Sequence, residues 1–154
     1  MAEPAPAQEF GNHRFVLVCE DSPERQAVIK AALDQLGFTM YAAKNTEDAL
    51  ERLRRDTFEA VILDEQFQGG SALDNDVLNA IVVLPMSVRR YMFVALLGRA
   101  YKTFDNMLAF ARSVNVVVNL NDLPHLPAIL RKGITENNEF YRVFREILTE
   151  VGKR

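Results

Sequence analysis

The chain has 154 residues, 49% of them hydrophobic and 25% charged, with a net charge of −3. That is enough apolar material for one domain with its own core, and too much for a disordered chain. Lys and Arg are scattered rather than gathered into a basic run, which argues against a nucleic-acid partner. No stretch is long and apolar enough to span a bilayer, and MAEPAPAQEFGN lacks the parts of a secretory leader. Cys19 has no second cysteine to pair with, and His13 and His125 offer no metal-ligand spacing beside it. These features point to a cytoplasmic protein with a buried, unreactive thiol.

In chain order, the Pro/Ala-rich start, residues 1–13, reads as a flexible tail. RFVLVC (Arg14 to Cys19) is a short buried strand that ends on two adjacent carboxylates, Glu20 and Asp21. Ser22-Pro23 then opens a helix, with Val28, Ala32 and Leu36 beside Ile29 and Leu33 as its apolar face, and Gly37 stops it. FTMYAA is a second strand. Asn45 or Thr46 caps a second helix to about Arg55, with Ala49, Leu50 and Leu53 inward and the arginines in water. EAVILD (Glu59 to Asp64) is a third strand and again ends on a carboxylate. QGGSALDND is a loop in which Gly69-Gly70 marks flexibility, since no Lys-Ser/Thr follows to make a phosphate loop. VLNAIVVL is a third helix, YMFVALLG a fourth strand, TFDNMLAFARSV a fourth helix and NVVVN a fifth strand. From Ala128 to Val151 a single helix of about 36 Å is expected, with Gly133 and Thr135 to Asn138 marking where it bends or leaves the domain.

Strand and helix alternate five times, and the strands are apolar without polar alternation. Both facts call for a parallel sheet covered on its two faces. The expected fold is therefore α/β, a flavodoxin-like doubly wound (βα)5 sandwich of strand order 2-1-3-4-5 with an extended C-terminal helix. Residues 14–132 would form the domain and residues 133–154 a helical extension. In that order the first and third strands are neighbours, so Glu20, Asp21 and Asp64 converge at the carboxyl edge, where such folds bind ligands. Clustered carboxylates suit a hard divalent cation such as Mg²⁺.

At this point the sequence resembles the receiver domain of bacterial two-component response regulators, from Arg14 to about Leu130. The likeness rests on CEDSPERQAVIKAALDQLGF, on EDALERLRRDTFEAVILDEQF and on the strand–helix order. It implies that Glu20 and Asp21 are the metal-binding acidic pair, that Asp64 is the phosphoacceptor, and that the Gln66 carbonyl completes a Mg²⁺ site. The resemblance fails at a related set of positions. Where the family has a Thr or Ser on the fourth strand this chain has Leu97, and where it has Lys-Pro after the fifth strand this chain has Asn119-Leu120. Its aromatic switch position is Val116, and Gln68 replaces a loop proline. Arg99 or Lys102, just past the fourth strand, are the basic residues near enough to compensate.

The expected function is a non-catalytic receiver-like signalling module, a pseudo-receiver that works by protein contact and is not switched by aspartyl phosphorylation. The alternative is a working Mg²⁺-dependent receiver that takes a phosphoryl group on Asp64 in a phosphorelay. A flavodoxin-like enzyme has no motif to support it. Two surfaces are candidate partner sites. On the fourth helix, Phe104, Leu108 and Ala111 share one face and Met107, Phe110 and Val114 an adjacent one; the second is either packed deeply or a contact patch, together with the fifth strand and fifth helix. On the last helix, Phe140, Tyr141, Phe144, Ile147, Leu148 and Val151 form a stripe that either folds back or meets a protein partner, including a second copy.

Overall fold

The computed structural model describes residues 14–71 and 73–152, so the expected tail lies outside the described residues. Five strands occur where the apolar runs place them: β1 (Phe15–Cys19), β2 (Thr39–Ala42), β3 (Ala60–Asp64), β4 (Phe93–Gly98) and β5 (Val116–Asn119). They form one parallel sheet in the order β2-β1-β3-β4-β5. Successive residues of each central strand point into two separate cores, which is why the strands lack polar alternation. Val16, Val18, Ile62, Ala95 and Leu97 pack with one set of helices. Leu17, Cys19, Val61, Leu63 and Leu96 pack with the other.

Helix α1 (Pro23–Leu36) starts as the sequence dictates: the Ser22 hydroxyl accepts from the Arg25 N–H, Pro23 opens the first turn and Gly37 closes the last. Its buried face is Ile29, Ala32, Leu33 and Leu36, whereas Val28, expected on that face, is exposed. Val28 lies about a quarter-turn off the stripe and falls outside the sheet contact. Asn45 caps α2 (Thr46–Arg55) through the Asp48 N–H. Of its arginines, Arg52 does not simply face water but lies over the Tyr41 ring, 4.2 Å from its centroid. The third helical stretch is interrupted, with α3 (Asp76–Val82) and a single turn, α4 (Met86–Arg89), separated by Pro85.

Two expectations are corrected by the next elements. The fourth predicted helix is only α5 (Asn106–Arg112). Phe104 precedes it with φ of 70° and Asp105 caps it, while Ser113 ends it with φ of 62° and turns Val114 inward. Ala111 is exposed, and Met107 and Phe110 stand out in solvent at 79% and 83%. The last helix, α6 (Leu126–Glu150), runs without a break through Gly133. Gly133 is there for proximity rather than bending: a Cβ on it would lie 2.6 Å from Cζ of Phe93. Leu126, Ile129, Leu130 and Ile134 bury the first half of α6 against the sheet, on the side of α1. Further along, Arg90 covers the Phe144 ring, while Phe140, Val143, Ile147 and Val151 are exposed. No helix among the described residues is long and apolar enough to cross a membrane.

In an unencumbered helix Gly→Ala stabilises by roughly 1 kcal/mol. Here the buried Phe93 ring reverses the sign, and Gly133→Ala is expected to cost about 1–2 kcal/mol in urea unfolding, the usual penalty for overpacking. A stabilised variant would mean α6 does not approach β4 this closely.

Candidate functional site

The register of β1 against β3 sets Cys19 beside Leu63, so the next residues, Glu20 and Asp64, leave the sheet side by side. Both are buried, at 1% and 2% exposure, whereas Asp21 lies at the exposed rim. Buried carboxylates must be paired or protonated, and here each has its own partners. Arg99 holds Asp64 with two parallel hydrogen bonds, Nη1 to Oδ1 at 2.9 Å and Nη2 to Oδ2 at 3.2 Å. The Gln66 N–H adds a third to Oδ1 at 2.8 Å, and Arg25 Nη2 stands 3.7 Å from Oδ2. Glu20 Oε2 accepts from the Ser22 N–H and lies 3.0 Å from Arg25 Nε. Asp21 is gripped by Gln68, whose N–H and Nε2 donate to its two oxygens at 2.9 and 3.0 Å.

The titration of the pair follows from this. Burial raises the Glu20 pKa, and hydrogen bonding with Asp64 and its charge raise it further. Glu20 Oε1 is buried with no donor of its own, so a proton there satisfies an otherwise orphaned atom. Burial also pushes Asp64 up, but the hydrogen bonds from Arg99, from the Gln66 N–H and from Glu20, with the charge of Arg99, outweigh it and hold Asp64 below the usual carboxylate range. Arg99 is raised correspondingly, first by its hydrogen bonds to Asp64.

The positions that depart from the family pattern have other work. Leu97 stands directly opposite Asp64 in the β3–β4 register and is wholly buried. Val116 is buried in the core. Asn119 organises the loop that carries Arg99: its Nδ2 donates to the Tyr101 carbonyl at 2.7 Å, its N–H to the Thr103 hydroxyl at 2.8 Å, and its Oδ1 accepts from the Asn121 N–H. The peptide bonds among the described residues are all trans, as expected of Asn119-Leu120. Tyr101 donates to Glu65 at 2.7 Å and its ring lies so close to Gly98 that a Cβ there would meet it at 2.4 Å. Thus the end of β4 must be glycine for the loop to fold over the site.

Sequence reasoning named Arg99 as one possible compensating residue but missed Arg25 and Gln68. A signal for Arg25 was present, since a basic residue in the first turn of a helix opposes the helix dipole unless a carboxylate faces it. Gln68 gave none: its grip depends on a left-handed backbone, φ of 55°, in the turn Phe67–Gly69.

These residues as placed do not fit a divalent ion. The Gln66 carbonyl, the expected backbone ligand, accepts from the Gly69 N–H at 2.9 Å. Asp64 and Glu20 face guanidinium groups, and Asp21 faces an amide. Among the described residues no group of three or more His, Cys, Asp or Glu is disposed to hold a metal. Magnesium needs near-octahedral oxygen ligation, which would require Arg99 to withdraw.

No family model and no characterised protein matches the sequence. The fold is nonetheless that of response-regulator receiver domains. The chain is similar to a response regulator from Thermotoga maritima, at 26% identity over 80% of this chain and 98% of that one, with a TM-score of 0.60. It is similar to the signal receiver domain of a LuxO repressor protein from Vibrio parahaemolyticus, at 15% identity, 85% and 97% coverage and a TM-score of 0.65. It is also similar to the receiver domain of a sensor histidine kinase from Pseudomonas aeruginosa, at 20% identity, 79% and 98% coverage and a TM-score of 0.61; that structure has magnesium coordinated in its active-site cleft.

Arg99→Ala leaves a buried carboxylate with one cation fewer and is expected to cost about 2–3 kcal/mol, in the range for hydrogen bonds to charged groups. Arg99→Ala in an Asp64→Asn background should cost clearly less, a coupling read by urea unfolding of all four chains. Additive losses would mean the pair is not formed. Because the folded pKa of Asp64 is depressed, its stabilisation is present above the unfolded value near 3.9 and lost as pH falls through the folded one. Wild type should therefore lose stability below about pH 4 more steeply than Asp64→Asn.

Proposed function

We propose that the chain is a receiver-fold signalling module that acts through protein contacts and is not switched by phosphorylation of Asp64. The observation that carries this reading is the state of Asp64: both of its oxygens are taken by Arg99, and Gln66 and Arg25 reinforce them. A carboxylate whose pKa is held down and whose lone pairs are engaged is a weak nucleophile. Around it, Leu97 has no hydroxyl to grip a phosphoryl oxygen, Asn119 is committed to the loop, and Val116 cannot swing outward as an aromatic switch would. Loss of a single anion-stabilising contact typically costs about 2.7–4 kcal/mol in a transition state. In this reading the chain's role is contact rather than catalysis.

The contact surfaces of this reading are the exposed Met107 and Phe110 on α5 and the second half of α6. A strand of five or six residues spans about 17–20 Å, whereas α6, with 25 residues, is about 37 Å long. Its distal half therefore runs past the sheet. There Phe140, Phe144, Ile147 and Val151 follow the four–three spacing of a coiled-coil seam, with Phe140, Ile147 and Val151 exposed and Phe144 half-buried under Arg90, and with Tyr141 and Leu148 beside them. A seam of one sequence is matched by a second copy, so a homodimer through α6 is the assembly that covers it, leaving α5 for another protein.

One observation favours the alternative, a phosphorylatable receiver: Arg99 brings a cation to Asp64, where the family pattern uses a lysine from the fifth strand. Incubation with Mg²⁺ and acetyl phosphate followed by intact-mass measurement separates the two. The proposed reading expects an unchanged mass; a phosphoryl adduct that disappears in Asp64→Asn would establish the alternative. Light scattering tests the assembly, with a dimer expected for wild type and a monomer for the Phe140→Glu/Ile147→Glu variant. A monomeric wild type would exclude the α6 dimer.

A further inference from the structure

The exposed stripe of α6 and the buried root of the same helix lie on one face. Stepping by four and three, the series that ends in Phe140, Phe144, Ile147 and Val151 begins with Leu126, Leu130, Gly133 and Asn137. Leu126 and Leu130 are buried against the chain's own sheet, Gly133 lies against Phe93, and Asn137 Oδ1 accepts from Asn115 Nδ2 at 3.3 Å. Resting on the reading that two copies meet through α6, we infer that the two helices pair antiparallel. The last turns of each then dock on the other copy's α4 turn and on Tyr91 just after it.

Three observations carry this orientation. The first is steric. A helix laid parallel along the exposed stripe would run, toward its own start, along the face that Leu126 and Leu130 press onto the sheet, and so into the sheet itself. An antiparallel helix leaves past Val151, away from the domain. Phe144 then meets Ile147 of the second copy and Phe140 meets its Val151, so all four seam residues are used.

The second is size. The overlap from Phe140 to Val151 is about 18 Å long and about 10 Å wide, well short of the roughly 800 Å² a side that a stable interface buries. More surface has to join it. The third is that such a surface stands beside the seam. Arg90 lies 5.4 Å from the Phe144 ring centroid, and Arg89 donates to the Met92 and Ser113 carbonyls at 2.7 and 3.0 Å, which fixes the α4 turn at the flank of α6. Met86, Val88 and Tyr91 are exposed there. In the antiparallel pair Val151 of the second copy is level with Phe140, so its last turn passes this patch; in a parallel pair it lies about 16 Å further along the axis. The antiparallel pair is closed by one two-fold axis. It sets the two domains at opposite ends with their Asp64 edges outward, because α6 leaves each sheet at the end where Phe93 and Val116 start β4 and β5.

The test is disulfide formation in the full chain under mild oxidation, read by intact mass without reductant, which tells a mixed dimer from either like pair. Wild type, whose Cys19 is buried, should form no cross-link. Phe140→Cys mixed with Val151→Cys should form the mixed disulfide, whereas Val151→Cys alone should form none, its two copies being about 16 Å apart along the axis. Met86→Glu and Tyr91→Glu, both at exposed positions off α6, should each weaken the dimer at least about tenfold in sedimentation equilibrium. A Val151→Cys disulfide with itself overturns the antiparallel pairing and leaves the α6 reading standing. A dimer unmoved by both glutamate substitutions overturns the docking on α4. A wild type that stays monomeric at every concentration removes the α6 reading and this orientation with it.

Discussion

Two carboxylates buried side by side at the end of a parallel sheet set the terms for the rest of this molecule. Like charges about 4 Å apart repel by roughly 4 kcal/mol at an effective dielectric of 20, before any cost of leaving water. The β1–β3 register sets Glu20 and Asp64 side by side, so the elements around the sheet edge must supply positive charge, a proton or a metal. The chain supplies one arginine from the first turn of α1 and one from the loop after β4, and holds Glu20 toward its protonated form. Everything distinctive about the site follows from that answer.

The departures from the receiver pattern are coherent when viewed from the loop after β4. Asn119 cannot offer charge, but it offers the donors and acceptor that a tightly folded neighbouring loop requires. Leu97 cannot bind an oxyanion, but it fills the core facing α1 and α6. Arg99 provides the charge, at the price of occupying the space where a ligand would sit. Distant from this rim, the exposed apolar residues of α5 and the long reach of α6 are the surfaces that the proposed contact role would use.

The fold was legible in the sequence because its signals are redundant. Five apolar runs, each closed by a cap or a glycine, leave one arrangement that buries both faces of the sheet. The convergence of Glu20 with Asp64 followed from strand order alone. What the sequence did not reveal depends on distances rather than on pattern. Gly133 looks like a helix breaker until Phe93 is seen against it. The apolar residues around Phe104 look like one helix until the positive φ at Phe104 and Ser113 shortens it to two turns. Arg99 was legible as a nearby cation and Arg25 as a basic residue in a first helical turn, but the grip of Gln68 on Asp21 exists only through the left-handed turn at Gln68 that the tertiary fold sets.

The most direct view of the central interaction comes from side-chain NMR of the ¹⁵N-arginine-labelled protein, with and without excess Mg²⁺. A bidentate pair with buried Asp64 predicts separate, slowly exchanging Nη resonances for Arg99 that stay unchanged when the metal is added. A single averaged guanidinium signal, or resonances that collapse on adding Mg²⁺, would contradict the account.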